Sequence, residues 1–305
     1  MRLGFPVRVY GLPGAPPPTR AGADLPPFGG HLAHLRDVVG YLAARRISMY
    51  RLSTRLAETL AEGWPASLTA HRGELDVLAE SIASHNLRLS FHPHGAVALN
   101  ALHEEQVHRA VGSLVLMAAL LDALALPAAS VIVLHVGGVY GDVPSARDRF
   151  VRRYEALPPE VRRRLVLEND DRRFSHTDVR CIHEACGIPL VFDNLHHRIL
   201  NPEGVPMREA LAYSLGTWPT EVTPKVHFCS ARTEARGLAT GRLQVPRWTE
   251  HSDFCNPFEF IEFLALAEGL PPFDVMLEAK ARDVAVLKLR EDLARFAPEH
   301  TPRLA

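Results

Sequence analysis

The stretch RLVLENDD, residues 164–171, decides the fold. Its Leu-Val-Leu half reads as a strand buried on both faces, the habit of parallel sheets. It then turns abruptly polar at Glu168, Asn169, Asp170 and Asp171. Carboxylates gathered at the end of a core strand repel one another, so they need a counter-charge or must hold protons. The same pattern returns along the chain, which makes it a rule of construction rather than an accident.

Working outward, seven more apolar runs resemble this strand: RLGFPV (2–7), ISMYRLS (47–53), LRLSFHP (87–93), SVIVLHVG (130–137), IPLVFDNLHH (188–197), PKVHFCS (224–230) and FDVMLEAK (273–280). Most are rich in Val, Ile, Leu and Phe without clean alternation. Amphipathic helix candidates separate them, including HLAHLRDVVGYLAARR, RGELDVLAESIASHN, segment 145–163, segment 203–216, NPFEFIEFLALAEG and ARDVAVLKLREDLARFA. Ser175, Thr177 and Asp178 supply capping chemistry at the head of the helix before strand six. Eight strands alternating with eight helices predict a single-domain α/β protein, a (β/α)8 TIM barrel over residues 1–296 with a tail at 297–305. An open doubly wound sheet is the alternative, since it demands no particular strand count. Two long loops, 11–30 after strand one and 231–255 after strand seven, fall on the C-terminal face of a barrel, where active sites are built. The first is proline-dense and expected to be extended; the second carries Arg232, Arg236, Arg242 and Arg247.

Composition narrows the function classes. A net charge of −1 with 47% hydrophobic residues is ordinary for a soluble globular chain. No apolar run approaches the roughly 18 residues of a membrane span, and MRLGFPVRVYG lacks the pattern of a signal peptide. Cys181, Cys186, Cys229 and Cys255 form no CxxC pair, which suggests reduced thiols in a cytoplasmic protein. Near-neutral charge gives no global pull toward nucleic acid, so such binding must come from a local patch. Histidine stands out, with 16 residues of the commonest metal-ligating type.

Those histidines collect at strand ends. Strand three ends in His92-Pro-His94, strand four in His135, strand five in Glu168-Asn-Asp170, and strand six in Asp193 with His196 and His197. Strand seven carries Lys225 and His227, its loop carries His251, and strand eight ends in Glu278-Ala-Lys280. One histidine at a strand end is ordinarily structural. This many imidazoles and carboxylates around one barrel axis call for divalent cations, and the mixed set suits zinc, manganese or iron better than calcium. The candidates exceed what one ion can use, so two or three ions sharing bridging carboxylates are expected. Closely spaced ions clamp the attacking and leaving oxygens in phosphoester cleavage. Lys225 lies two residues from His227 and faces the same side. An ammonium is unfavourable beside cations, so Lys225 is deprotonated, modified to a carbamate, or paired with an acid. Lys280 shares the face of Glu278, toward a substrate phosphate.

At these residues the chain resembles the UV damage endonuclease family, barrel enzymes that nick DNA 5′ to a lesion and are related in architecture to endonuclease IV. RLGFP, YRLS, LSFHP, VLHVGGVYGD, LENDD, VFDNLHH followed by NP, PKVHF and VMLEAK carry the resemblance, in order, through nearly the whole barrel. It implies that His92, His135, Glu168, Asp193, His196, His227, His251 and Glu278 are metal ligands, with Glu168 and Asp193 bridging. His92, His135 and Glu168 would hold one ion, Glu168, Asp193, His227 and Glu278 a second, with His196 and His251 helping to hold a third. Up to three ions are implied, manganese first, with zinc or magnesium as alternatives. Lys225 matches a lysine that can be carboxylated in the family. Catalytic roles fall to Glu168, Lys225, His227 and Glu278, and substrate contacts to Asn169, Tyr140, Arg232, Lys280 and His94. The implied partner is duplex DNA containing a lesion, bound by a monomer, with the loop arginines on flanking phosphates.

The chain also departs from the family pattern. His94, Gly95 and Ala96 stand where the family carries Gly-Gln and an aromatic that probe the duplex. The His-Pro after strand two is missing, and Glu62 in TLAEGWP is the candidate replacement ligand. Phe5 stands where tyrosine is common. The pattern is that of a retained metal core with an altered lesion probe. Two rivals follow: a metal-dependent sugar isomerase or epimerase, which also uses His, Glu and Asp at barrel strand ends, and a non-enzymatic nucleic-acid binder.

Overall fold

The computed structural model describes residues 1–12, 27–61 and 63–304, and in it the apolar runs become short strands. They are β1 (Leu3–Pro6), β2 (Met49–Arg51), β3 (Arg88–Ser90), β4 (Ile132–Leu134), β5 (Leu165–Glu168), β6 (Leu190–Val191) and β7 (Lys225–Phe228). A small pair, β8 (Arg236–Gly237) and β9 (Leu243–Gln244), precedes β10 (Asp274–Leu277). Strands β3-β2-β1-β10-β7 form one parallel sheet and β4-β5-β6 another. Parallel bridges Phe91↔Ile132 and Asp193↔His227 join the two sheets at both seams. The eight long-range strands therefore close into a ring without an edge, a single (β/α)8 barrel.

Strand periodicity explains where the site arises. Leu3, Phe5, Leu89, Phe91, Ile132, Leu134, Leu165, Leu167, Val226, Phe228, Val275 and Leu277 join the main core, which the helices cover. The alternate residues Val131, Val133, Val166 and Val191 pack separately with Trp218 and Val222. Continuing these alternate rows by two residues leads to His92, His135, Glu168, Asp193, His227 and Glu278. At the opposite end, the buried Asp274 carboxylate accepts from the Arg2 backbone N–H at 2.8 Å and pairs with Arg88 at 2.9 Å. The floor is thus charge-balanced independently of the mouth.

The helices follow the expected segments with several corrections. The helix expected over 145–163 is two, Val143–Glu155 and Pro159–Arg162, because Pro158 and Pro159 interrupt the backbone hydrogen-bond ladder. Helix His176–Cys186 opens on a full capping box between Ser175 and Asp178. The strand expected over 188–197 stops at Val191. Asp193 instead accepts the His196 backbone N–H at 2.8 Å and starts the helix Asn194–Ile199. In the long loop after β7, β8 and β9 pair antiparallel with one another alone. The loop expected over 11–30 ends earlier, since the helix Phe28–Ala44 begins within it. Residues 13–26 of that loop, and Glu62, lie outside the described residues. No helix among the described residues is long and apolar enough to cross a membrane.

Candidate metal centre

Glu168, at the last position of β5, is fully buried and sits among four imidazoles. Its Oε1 accepts from His227 Nδ1 at 2.8 Å and lies 3.4 Å from His196 Nδ1. Its Oε2 lies 2.9 Å from His92 Nε2 and 3.6 Å from His135 Nε2. Just beyond β10, Glu278 places Oε1 at 3.3 Å from His227 Nδ1 and Oε2 at 3.7 Å from His251 Nε2. Ligand atoms of His92, Glu168, His227 and Glu278 lie within 4.8 Å of one another, and so do those of Glu168, Asp193 and His196. Glu168 belongs to both groups. The expected partition is therefore rearranged: His92 joins His227 and Glu278, while Asp193 stands with His196. Ring contacts of 5.0 Å between His92 and His135, and 6.0 Å between His196 and His251, extend the histidines around the mouth.

Three carboxylates share this space, and their environments push them apart. Burial opposes charge on Glu168, yet His227 and His135 hold its carboxyl well below the usual range. Burial likewise opposes charge on Glu278, while Arg51 and His227 hold it low. At Asp193 burial wins, pushing the acid up to about 6 against the pull of His196. His196 goes up to about 11 despite its burial, because Asp193 and Glu168 stabilise its cation. Burial and the nearby Arg51 drive His92 down to about 3. The donor set fits divalent cations. Glu168 Oε2 and Asp193 Oδ2 are buried without a hydrogen-bond partner among the described residues. Leaving such groups unmatched costs about 1–3 kcal/mol each, and carboxylates interleaved with imidazoles are transition-metal donors.

Lys225 is fully buried one layer below His227, and its Nζ has no hydrogen-bond partner among the described residues. Burial, reinforced by Arg51 and Arg88, drives its pKa well below that of an ordinary lysine. Of the three expected states for Lys225, the pairing with an acid is absent among the described residues; the deprotonated amine and the carbamate remain.

The expected substrate contacts divide. Asn169 is buried and its amide is committed in both directions to Asp193: Nδ2 donates to the backbone O at 3.2 Å, and Oδ1 accepts the N–H at 3.0 Å. It braces Asp193 rather than facing solvent. Arg232, too, is buried, its Nη1 donating to Glu250 Oε2 at 2.8 Å; it anchors the loop instead of presenting a free cation. Lys280 lies 3.4 Å from the same Glu250 carboxylate. Tyr140 is exposed in a left-handed conformation, φ 52°, on the loop after β4, and His94 is exposed after β3. Nearby, Gly137 has φ 119°, and a Cβ there would collide with Asn100 Oδ1, so only glycine fits that turn.

Arg51 is the contributor that the strand-end search passes over. It ends β2, pairs with Glu278 Oε1, and places Nη2 at 3.1 Å from His227 Nε2. The signal was present in YRLS: an arginine two residues beyond the buried Met49 lies on the interior row.

A family model described as UV-endonuclease UvdE matches residues 30–301. The UV DNA damage endonuclease of Bacillus cereus (strain G9842) is 30% identical over 271 residues, 87% of this chain and 81% of that protein. Among solved structures, that of SacUVDE matches with a TM-score of 0.80 at 27% identity, covering 97% of this chain and 98% of that one. Endonuclease IV from Thermus thermophilus shares the barrel, with a TM-score of 0.57 at 16% identity and coverage of 97% and 100%. A family match spanning nearly the whole barrel, and the ligand-rich strand ends it contains, lead to one conclusion: this chain belongs to the UV-endonuclease UvdE family.

Proposed function

We propose that this protein is a divalent-metal-dependent endonuclease that nicks damaged duplex DNA on the 5′ side of a lesion. The observation that carries the reading is the trio of carboxylates Glu168, Asp193 and Glu278, interleaved with histidines at the mouth of the barrel. Such a cluster is costly unless cations neutralise it. His92, Glu168, His227 and Glu278 would hold one ion, and Glu168, Asp193 and His196 another, with His135 and His251 at the rim. Manganese is the proposed ion, and residues 1–296 of a monomer the catalytic unit. When bound, divalent cations neutralise charge on the phosphate and make water a nucleophile near neutral pH.

The chain's own groups do the rest. Glu168 and Glu278 fix the positions of His227 and His251. Arg51 holds Glu278 in place. Asn169 locks the backbone of Asp193, so that its carboxylate projects into the site. Burial and the nearby Arg51 and Arg88 disfavour the Lys225 ammonium, which favours the amine that carbamate formation requires. The test is nicking of UV-irradiated, abasic and intact plasmid by manganese-loaded protein. Irradiated plasmid is expected to be nicked, with modest preference over intact DNA, and duplex binding is expected to weaken steeply with salt. Absence of nicking with manganese, zinc and magnesium alike would overturn the reading.

A further inference from the structure

The loop between β7 and the helix Pro257–Leu266 projects a surface that the metal centre does not use. From 235 to 249 it carries Arg236, Arg242 and Arg247 and no acidic residue. Leu243, Val245 and Trp248 are 70%, 71% and 65% exposed, and Leu238 is exposed beside them. Apolar side chains this open are ordinary when scattered, but a contiguous group rimmed by cations marks a binding surface. Among the described residues, neither Arg242 nor Arg247 is ion-paired, while Arg236 lies 3.6 Å from Asp253.

The hairpin is fixed to the mouth. Ala231 bridges antiparallel to His251, and the Arg232 N–H donates to Glu250 O at 2.8 Å. The Glu250 carboxylate is taken up by Arg232 and Lys280, so its charge does not repel an anion approaching the loop. Trp248 stands three positions before His251, whose Nε2 lies 3.7 Å from Glu278 Oε2. The hairpin and His251 thus belong to one chain segment, and His251 borders the candidate centre. The loop after β3 offers exposed His94, Gly95 and Ala96 there, with no large aromatic.

We infer that the β8–β9 hairpin and Trp248 form a wedge for duplex DNA, with the indole stacking on a base next to the scissile phosphate and Arg242 and Arg247 seated on flanking phosphates. This rests on the nuclease reading of the metal centre. The occupant follows from the chemistry: an apolar centre with a cationic rim matches unstacked bases bordered by phosphates. Base–aromatic stacking tolerates any sequence, and the arginine contacts give salt-dependent affinity.

The test uses the manganese-loaded full chain and a duplex oligonucleotide with one thymine dimer and an adjacent 2-aminopurine. Trp248→Ala is expected to bind this duplex at least about tenfold more weakly, from the usual value of one base–aromatic stack, and to lose the 2-aminopurine fluorescence change. Trp248→Phe should retain most of both. Arg242→Gln with Arg247→Gln should lower the salt slope by about two. All variants should melt like the wild type, because these side chains are exposed, and should hydrolyse bis(4-nitrophenyl) phosphate at its rate. Wild-type binding and nicking by Trp248→Ala overturn the wedge alone, even if the arginine variant weakens. A wild type that neither nicks duplex nor hydrolyses the small diester overturns the nuclease reading, and the wedge with it.

Discussion

Each residue of the LENDD stretch does a different job. Glu168 meets four histidines, and Asn169 braces Asp193. Asp170 Oδ1 accepts the backbone N–H groups of Arg172 and Arg173 at 2.7 and 2.6 Å, building the turn, and Asp171 pairs with Arg172 at 3.4 Å. Only one of the three acids faces the centre, so removing it should have a distinct signature. Glu168→Ala is expected to abolish nicking and to reduce bound manganese by elemental analysis; unchanged metal content would rule out its bridging role. Arg51→Lys keeps a charge but loses the fork that holds Glu278 and His227 together. Supporting contacts of this kind are worth about 10–100-fold in metal affinity or activity, and a manganese titration beside a nicking assay measures it. The carboxylates were legible as strand-end oddities. Arg51 was harder to read, because a buried arginine is recognised by its partners, and Glu278 and His227 come from distant strands.

At the scale of elements, helix signals gave some boundaries and hid others. The Ser175–Asp178 cap was readable because its chemistry is local. The end of β6 was misread as strand because Leu190, Val191 and Phe192 carry an apolar run up to Asp193 that suits an extended chain; Asp193 decides by capping the turn. That turn aims His196 back at Glu168, which a continued strand would not do. Beneath it, His176 lies in a buried group with His197 and Ser214. Burial, with the nearby His197 and Arg180, lowers its pKa to about 4. A depressed folded value makes the neutral form the native one, so its contribution is complete above about 6.5 and is lost as pH falls toward about 4. A displacement of this size is worth on the order of 2–3 kcal/mol. Urea unfolding of the wild type between pH 7 and 4 should show the decline, and His176→Gln should flatten it. Equal slopes in the two proteins would assign the acid sensitivity elsewhere.

On the scale of the whole molecule, the barrel converts seven separate strand ends into one chemical site. If the proposed cations neutralise the carboxylates at its mouth, stability and metal occupancy are linked. Chelation with EDTA should lower Tm by about 4 °C for each ion lost, taking an ion at a hundred times its dissociation constant and a chain of this size. Manganese should restore it in differential scanning calorimetry. A Tm indifferent to chelator and manganese would mean that the fold does not depend on occupancy.

What the sequence by itself determined is what repeats at short range: the eight apolar runs, the polar residues ending strands three to eight, the caps and the proline breaks. These depend on side-chain period and local hydrogen bonding, which neighbours in the chain dictate. Tertiary structure alone decided which ligands share a group, that Arg51 enters between Glu278 and His227, that Lys225 has no acid bonded to it among the described residues, and that Arg232 is buried while Trp248 is not. Those outcomes depend on the ring closing through Phe91↔Ile132 and Asp193↔His227. Closure sets the distances between atoms from distant segments, and Coulomb and hydrogen-bond energies at a few ångströms follow distance, not sequence order.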